Sequence, residues 1–358
     1  MPNKFVTLLA VALGLLAFTC TVTPVSALST GYHNRLNRQA NHGYIAKRSN
    51  GSNTSTTKRC KKKPSSPASS SASPTATPPP ETHAAAPSSS KAAPSSSQTH
   101  ASSTPAPAPP TDNGNKKIGL AWPNGRSDLA NFITENVGWI YTWSPEQPDS
   151  SRSDNYGLEF MPMLWGPNQI SSFQKAVKPG YADYILGFNE PNEAGQSNLD
   201  PGYAASLWKQ YIEPLRASGY KTCSPATSSN PNGYTWVQNF LKACDGGCTF
   251  DCVAIHWYDV KFEDFKAYTE KWHDGFGKDI LITEFAPQNF NGGAQLSPDG
   301  VWNFYQQAMP YIMQTPWIKA AFPFGFMHDM SGVNMADQLM SSDGKPNPLG
   351  AFIISGNY

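Results

Sequence analysis

Short apolar segments recur through the last two thirds of the chain, and each one ends at a polar or turn-forming residue. Eight of them predict β-strands, at residues 118–122, 137–142, 159–164, 184–188, 221–224, 252–257, 280–283 and 320–324. Each segment is bounded by Gly, Pro, Ser or Asn, as short buried strands usually are. The pattern therefore predicts eight strands of similar length.

Helical periodicity fills most of the gaps between these strands. The clearest helix is predicted at residues 201–218, where apolar residues repeat on one face. Asp200 provides a cap, Pro201 takes the first helical position and Gly219 ends the helix. A second helix is predicted at residues 298–314.

Alternating strands and helices predict a parallel sheet. Eight strand–helix units in residues 116–358 give roughly 30 residues a unit, the size typical of a (β/α)8 TIM barrel. A doubly wound open sheet is the alternative, but no G-x-G-x-x-G motif follows any strand. The predicted fold is α/β, a single TIM barrel in residues 116–358 preceded by a disordered Ser/Thr/Pro-rich stalk.

The start of the chain has the pattern of a secretory signal peptide. Lys4 precedes an apolar run at residues 5–18, and small residues follow at 25–27. The run is too short to span a membrane comfortably, which argues against an anchor. We therefore predict a signal peptide at residues 1–27, a secreted or cell-wall-associated protein, and no membrane segment after the signal is removed.

The next segments predict processing and glycosylation. Residues 28–48 end at the dibasic pair Lys47-Arg48 and are interpreted as a propeptide. Residues 49–115 are rich in Ser, Thr and Pro, which is typical of a disordered and glycosylated linker. Asn50 and Asn53 begin sequons for N-glycosylation.

The charge balance narrows the choice of partner. The 358 residues carry a formal net charge of +1, so no strongly basic surface favours nucleic acid. We expect a monomer that binds no nucleic acid.

The cysteines predict disulfide bonds in the barrel region. Cys20 leaves with the signal peptide, and Cys60 is left over in the linker. Four others fall close together and predict two disulfides in an oxidising compartment, with three pairings open: Cys223, Cys244, Cys248 and Cys252. A zinc site is the alternative, but secretion and the absence of two-residue spacing argue against it.

The most informative residues lie where the predicted strands end, because TIM barrels carry their functional groups there. Strand four runs into Asn189-Glu190 and strand seven into Glu284. Aromatic residues and one histidine end other strands and are interpreted as substrate contacts: Trp122, Tyr141, Trp143, Trp165, His256, Trp257 and Tyr258. Two carboxylates across a cleft can break a glycosidic bond. Aromatic faces can cover the apolar faces of sugar rings.

Some of these residues also have non-catalytic interpretations. An isolated glutamate is usually a solvated surface charge, and Glu193 is expected to be one, or a charge at a helix start. His256 could be a core histidine instead of an orienting partner. The three histidines of the barrel region are scattered in sequence, and no P-loop or H-E-x-x-H motif is present. We therefore expect neither a metal nor an organic cofactor.

The strand-end motifs resemble a known group. Asn189-Glu190-Pro191 and Glu284 resemble the catalytic pair of clan A glycoside hydrolases. The segments "LGFNEPN", "AIHWY", "LITEFA" and "MLWG" resemble glycoside hydrolase family 128 over about residues 117–355. The resemblance implies that Glu190 is the acid/base and Glu284 the nucleophile. It further implies that Asn189 binds the 2-hydroxyl, while His256 and Tyr258 position the nucleophile or line the cleft.

The implied function is that of a secreted, retaining endo-β-1,3-glucanase acting on fungal cell-wall glucan. One alternative is a cell-wall glucan-binding protein with little hydrolysis, and another is a hydrolase of cellulose or mannan. The sequence also departs from the clan, because residues 322–327 lack the tryptophan that often closes the sugar site at strand eight. We expect this part of the site to be built differently.

Overall fold

The computed structural model describes Gly114 and residues 116–151, 154–330 and 332–358. The predicted signal peptide, propeptide and nearly all of the linker lie outside these residues. So do the dibasic pair, Cys60, Asn50 and Asn53.

Eight parallel strands form one sheet in the order β3-β2-β1-β8-β7-β6-β5-β4. Their bounds are β1 Ile118–Ala121, β2 Val137–Tyr141, β3 Glu159–Phe160, β4 Tyr184–Leu186, β5 Lys221–Cys223, β6 Cys252–Tyr258, β7 Asp279–Ala286 and β8 Ile318–Pro323. Every predicted strand is confirmed, although β3 keeps only two residues with regular pairing.

The strands at the two ends of the sheet, β3 and β4, are joined by hydrogen bonds just beyond the regular part of β3. The backbone N–H of Leu164 donates to the carbonyl of Leu186 at 3.1 Å, and the N–H of Leu186 donates to the carbonyl of Pro162 at 3.0 Å. Pro162 has no N–H of its own, which accounts for the early loss of regular pairing in β3. These bonds make the sheet a nearly closed barrel and confirm the predicted (β/α)8 fold.

Helices follow most of the strands. They are α1 Ile170–Ala176, α2 Pro201–Tyr211, α3 Asn232–Cys244, α4 Phe262–Phe276, α5 Pro298–Gln314 and α6 Pro348–Ser355, with 3-10 turns at Leu129–Phe132, Pro167–Gln169, Glu213–Ser218 and Met335–Asp337. Within the described part of the chain, none of these helices has the length and apolar character needed to span a membrane.

The helix predicted at 201–218 is only partly correct. Asp200 caps it as expected, since its Oδ1 accepts from the N–H groups of Gly202 at 2.8 Å and Tyr203 at 3.2 Å. The α-helix ends at Tyr211, however, and a 3-10 segment continues to Ser218. Pro214 explains the change, because proline has no N–H to bond the preceding turn.

Buried side chains form two layers. The outer layer lies between strands and helices and contains Ile118, Leu120 and Trp122 from β1 and its end. The inner layer fills the barrel and contains Ala121 from the same segment. The alternation follows from the two-residue period of a strand.

Both predicted disulfides are present, and the zinc interpretation is wrong. Cys223 at the end of β5 is bonded to Cys252 at the start of β6. Cys244 at the end of α3 is bonded to Cys248.

Candidate active site

The predicted catalytic pair comes together inside the barrel mouth. Glu190 lies just beyond β4 and Glu284 lies in β7, with strands β5 and β6 between them. A carboxylate oxygen of each residue and a ring nitrogen of His256 all lie within 4.8 Å of one another. Glu190 is 1% exposed and Glu284 is 2% exposed. The two carboxylates therefore form one buried acidic cluster with the histidine.

Two donors hold the Glu284 carboxylate. The indole Nε1 of Trp143 donates to Oε1 at 2.7 Å, and the hydroxyl of Tyr258 donates to Oε2 at 2.6 Å. Trp143 follows β2, while Tyr258 is the last residue of β6, the strand beside β7. Both oxygens of Glu284 are thus fixed in direction, and both bonds favour its ionised form.

His256 lies between the two glutamates and is fully buried. Its Nδ1 is 2.9 Å from Oε1 of Glu190, within hydrogen-bond distance. Its Nε2 is 3.6 Å from Oε1 of Glu284, which is too long for a hydrogen bond. The imidazole therefore contacts both carboxylates and orients Glu190 directly.

The cluster is electrostatically coupled. Burial raises the pKa of Glu284, and the charge of Glu190 raises it further, against the lowering effects of His256, Tyr258 and Trp143. Burial lowers the pKa of His256, but the charges of Glu284 and Glu190 outweigh it and raise that pKa overall. Both shifts favour a bound proton, so the cluster titrates as a unit and holds a proton to higher pH than separate groups would.

Two residues of the site have left-handed backbones. Glu190 has φ 40° and Trp143 has φ 52°, values that residues other than glycine rarely adopt. The N–H of Glu190 donates to the carbonyl of Ala226 at 2.7 Å, which helps to hold this conformation. Such strain is found preferentially at functional sites, where the surrounding structure maintains it.

Asn189, the residue before Glu190, carries a buried acceptor. It is 2% exposed, and its Nδ2 donates to Oε1 of Gln196 at 3.3 Å. Its Oδ1 is buried and has no hydrogen-bond partner among the described residues. A buried unpaired acceptor is costly, so a ligand hydroxyl would be a favourable partner for it.

The predicted aromatic contacts divide between the two layers. Tyr141, Trp143, Trp165 and Tyr258 belong to the inner layer, with the ring of Tyr141 4.9 Å from that of Trp143. The hydroxyl of Tyr141 donates to the carbonyl of Thr283, the residue before Glu284, at 2.8 Å. Tyr141, Trp143 and Tyr258 thus bond Glu284 or the residue before it, whereas the carbonyl of Trp165 accepts from the N–H of Asn189 at 3.0 Å.

The other two tryptophans are in the outer layer. Trp122 packs against Phe132 at 5.1 Å, and Trp257 stacks on Phe304 of α5 at 5.3 Å. The structure does not bring either indole to the carboxylate pair. Strand alternation explains this, because Trp257 lies between His256 and Tyr258, which face the barrel interior.

Two phenylalanines that were not predicted as site residues contact the rings that donate to Glu284. Phe324 lies 6.2 Å from Trp143 and 5.9 Å from Tyr258, at the end of the strand where the clan tryptophan is absent. Phe290, in the loop after β7, lies 5.2 Å from Tyr258. The alternation in β8 could have identified Phe324, whereas no sequence pattern marked Phe290.

The expectation for Glu193 is wrong. This residue is only 8% exposed. Its Oε1 accepts hydrogen bonds from Asn192 Nδ2 at 3.0 Å, Ser228 Oγ at 2.5 Å and Asn230 Nδ2 at 2.5 Å. Glu193 therefore ties the loop after β4 to the loop after β5, next to Glu190.

Residues 119–352 match a family model described as the glycosyl hydrolase catalytic core. The chain belongs to this family. Alkali-sensitive linkage protein 1 of Schizosaccharomyces pombe is 31% identical over 251 residues, which cover 67% of this chain and 44% of that protein. The chain thus spans less than half the length of this curated relative.

Solved structures of family 128 enzymes share the fold. A curdlan-specific exo-β-1,3-glucanase from Blastomyces gilchristii is 27% identical with a TM-score of 0.57, covering 68% of this chain and all of that chain. An endo-β-1,3-glucanase from Sorangium cellulosum is 27% identical with a TM-score of 0.59, covering 67% and 98%. The resemblance to glycoside hydrolase family 128 is therefore confirmed.

Proposed function

We propose that this chain is a secreted, retaining β-1,3-glucanase that uses Glu190 as acid/base and Glu284 as nucleophile. The main support is the geometry of the pair, whose carboxylate oxygens approach within 4.8 Å. Retaining glycosidases need carboxyl groups roughly 5–5.5 Å apart, whereas inverting ones need about 6.5–9.5 Å to admit water. Secretion rests on the sequence pattern of residues 1–27 alone.

In the first step, an oxygen of Glu284 attacks the anomeric carbon of the bound glucosyl unit. The glycosidic C–O bond breaks, and Glu190 gives its proton to the departing oxygen. The donors Trp143 and Tyr258 aim both oxygens of Glu284 and oppose the burial that raises its pKa, so they favour the ionised form that a nucleophile requires. The products are a shortened glucan and a glycosyl ester of Glu284.

In the second step, the ionised Glu190 takes a proton from water. The resulting oxygen nucleophile attacks the anomeric carbon and releases Glu284 as a carboxylate. Glu190 is then protonated again, so the cycle closes without a change in the protein. Two inversions at one carbon leave the β-configuration of the product.

The substrate class follows from the related enzymes and fits the surroundings of the pair. The unpaired Oδ1 of Asn189 can accept from a sugar hydroxyl, in agreement with the role implied for the 2-hydroxyl. Aromatic rings next to Glu284 can cover an apolar sugar face. The related enzymes from Blastomyces gilchristii and Sorangium cellulosum are β-1,3-glucanases, which makes laminarin the first substrate to test.

The test is hydrolysis of laminarin by the purified full chain, followed through reducing ends, beside cellulose and mannan oligosaccharides. Glu284→Gln should abolish turnover and leave glucan binding, and Glu263→Gln, an exposed glutamate on α4, is the matched control. Proton NMR of the first product should show the β-anomer. A first product with the α-configuration would contradict retention.

Two outcomes would favour the alternatives. Laminarin binding without any product would favour a cell-wall glucan-binding protein. Faster cleavage of cellulose or mannan than of laminarin would favour a hydrolase of another β-glycan. The product series from laminarihexaose distinguishes endo from exo action. Activity in excess EDTA tests the expectation that no metal is needed. This test matters because Glu190, His256 and Glu284 are also a possible set of metal ligands.

A further inference from the structure

A cavity of about 430 Å³ lies against the loop that follows Glu190. It is formed by the loop after β4 and the first turns of α2 and α3. Both helices follow strand ends, so the cavity opens on the same face of the barrel as the pair. Pro191, which lines it, is the residue after Glu190.

Carboxamides dominate the polar lining of this cavity. Asn192, Asn198, Asn232 and Asn239 all contribute. A carboxamide offers both donors and acceptors, as a sugar hydroxyl does, so the two groups are complementary. The side chains of Asn198 and Asn239 are exposed and make no hydrogen bond within the described part of the chain. They are available to a ligand.

One face of α3 supplies much of this wall. Asn232, Thr235, Trp236 and Asn239 follow the i, i+3, i+4, i+7 spacing that places residues on a single helical face. Trp236 is held rigidly, because its indole donates to the carbonyl of Leu199 at 2.8 Å and stacks on Phe240. The polar side chains thus project from a fixed support.

The rest of the cavity lining consists of three apolar residues and one aspartate that is already hydrogen-bonded. Pro191, Leu199 and Pro201 add apolar surface against which the C–H face of a sugar can pack. Among the described residues that line the cavity, the only charged one is Asp200, whose Oδ1 already caps α2. Because no basic side chain of the described part of the chain lines the cavity, this lining disfavours phosphate and other anions and favours a neutral, polyhydroxylated ligand.

We propose that this cavity is an accessory glucan-binding site for glucosyl units of the chain that is cleaved at the catalytic pair, an inference that rests on the proposed function. Its volume lies within the roughly 300–1,000 Å³ of small-molecule sites, enough for a short oligosaccharide segment.

The wall of the cavity is continuous with the catalytic loop. Asn192 Nδ2 donates to Glu193 Oε1 at 3.0 Å and to Asn232 Oδ1 at 3.1 Å. The N–H of Ser228 donates to Asn192 Oδ1 at 3.0 Å. A sugar bound in the cavity would therefore be held in a fixed position relative to the loop that carries Glu190.

The test uses the full chain with the double change Asn198→Ala and Asn239→Ala. We expect KM for laminarin to rise about fivefold or more, since two hydrogen bonds to sugar hydroxyls are lost. Among laminari-oligosaccharides, the rise should grow with chain length, because longer chains reach the cavity. Asn303→Ala, an exposed asparagine on α5, is the matched control and should leave KM unchanged.

Calorimetric titration of laminarihexaose separates this inference from the proposed function. In the Glu284→Gln background, the double variant should bind laminarihexaose more weakly by a similar factor. Thr235→Trp, which fills the cavity from an exposed position, should do the same. Unchanged dissociation constants in both variants, with unchanged thermal unfolding, would overturn the accessory site. A wild-type chain that binds laminarihexaose here but releases no product would overturn the hydrolase alone.

Discussion

Tyr258→Phe is the most selective perturbation of the candidate nucleophile. It removes the hydroxyl that donates to Oε2 of Glu284 at 2.6 Å and keeps the ring. The ring contacts with Phe290 at 5.2 Å and Phe324 at 5.9 Å are therefore retained. Any loss of activity then reports on the hydrogen bond to the carboxylate.

The magnitude follows from the charge of the acceptor. A hydrogen bond to an ionised group contributes about 1.5–3 kcal/mol. Because this bond lowers the pKa of Glu284, its loss should raise that pKa. At about 1.4 kcal/mol per tenfold change, the lost bond corresponds to a fall in kcat/KM of roughly ten- to a hundredfold on the acidic side of the profile.

The assay is kcat/KM on laminarin as a function of pH. The acidic limb of the profile reports ionisation of the nucleophile in the free enzyme, so it should move upward in pH. Tyr305→Phe is a matched control, because the buried Tyr305 hydroxyl has no hydrogen-bond partner among the described residues. An acidic limb that stays in place in Tyr258→Phe would refute this account of Glu284.

Three further predictions follow from other buried groups. His256→Gln removes a charge that lowers the pKa of Glu284, so the acidic limb of the laminarin profile should again move upward, and a downward shift would contradict the coupling. Replacing both Cys223 and Cys252, 29 residues apart, with Ala should lower the free energy of unfolding in urea by roughly 3–4 kcal/mol, and an unchanged midpoint would count against it. Burial raises the pKa of Asp337 from 3.8 to about 7, so between these pH values the folded state binds a proton that the unfolded state lacks. The free energy of unfolding should therefore fall as pH rises through this interval, by up to roughly 4 kcal/mol. Asp337→Asn should flatten this dependence in urea unfolding at pH 5 and 8, and a wild-type protein that becomes more stable over the same interval would contradict the sign.

Strand positions were predictable because each strand is a short apolar run with clear ends. The two carboxylates were predictable for the same reason, since Glu190 and Glu284 directly continue such runs. The strand-end aromatics could have been divided by alternation alone. Trp257 lies between His256 and Tyr258 in the strand, so its side chain points to the opposite face, and it belongs to the outer layer.

Loop contacts could not be predicted, because they depend on how loops from different strands fold over one another. Phe290, in the loop after β7, contacts Tyr258 at the end of β6, and Gln196 folds back onto Asn189 within the loop after β4; neither loop shows a periodic pattern. Glu193 was misjudged for a related reason. Its partners Ser228 and Asn230 lie in the loop after β5, which the pairing of β5 with β4 brings next to it.

The most direct test of the central claim is to trap the covalent intermediate. The full chain would be incubated with a 2-deoxy-2-fluoro laminaribiosyl fluoride, digested, and the labelled peptide located by mass spectrometry. The account predicts one label, on Glu284, and accumulation of the labelled species in a Glu190→Ala variant. A label on another residue would contradict the proposed double displacement, as would active turnover of laminarin with no label at all.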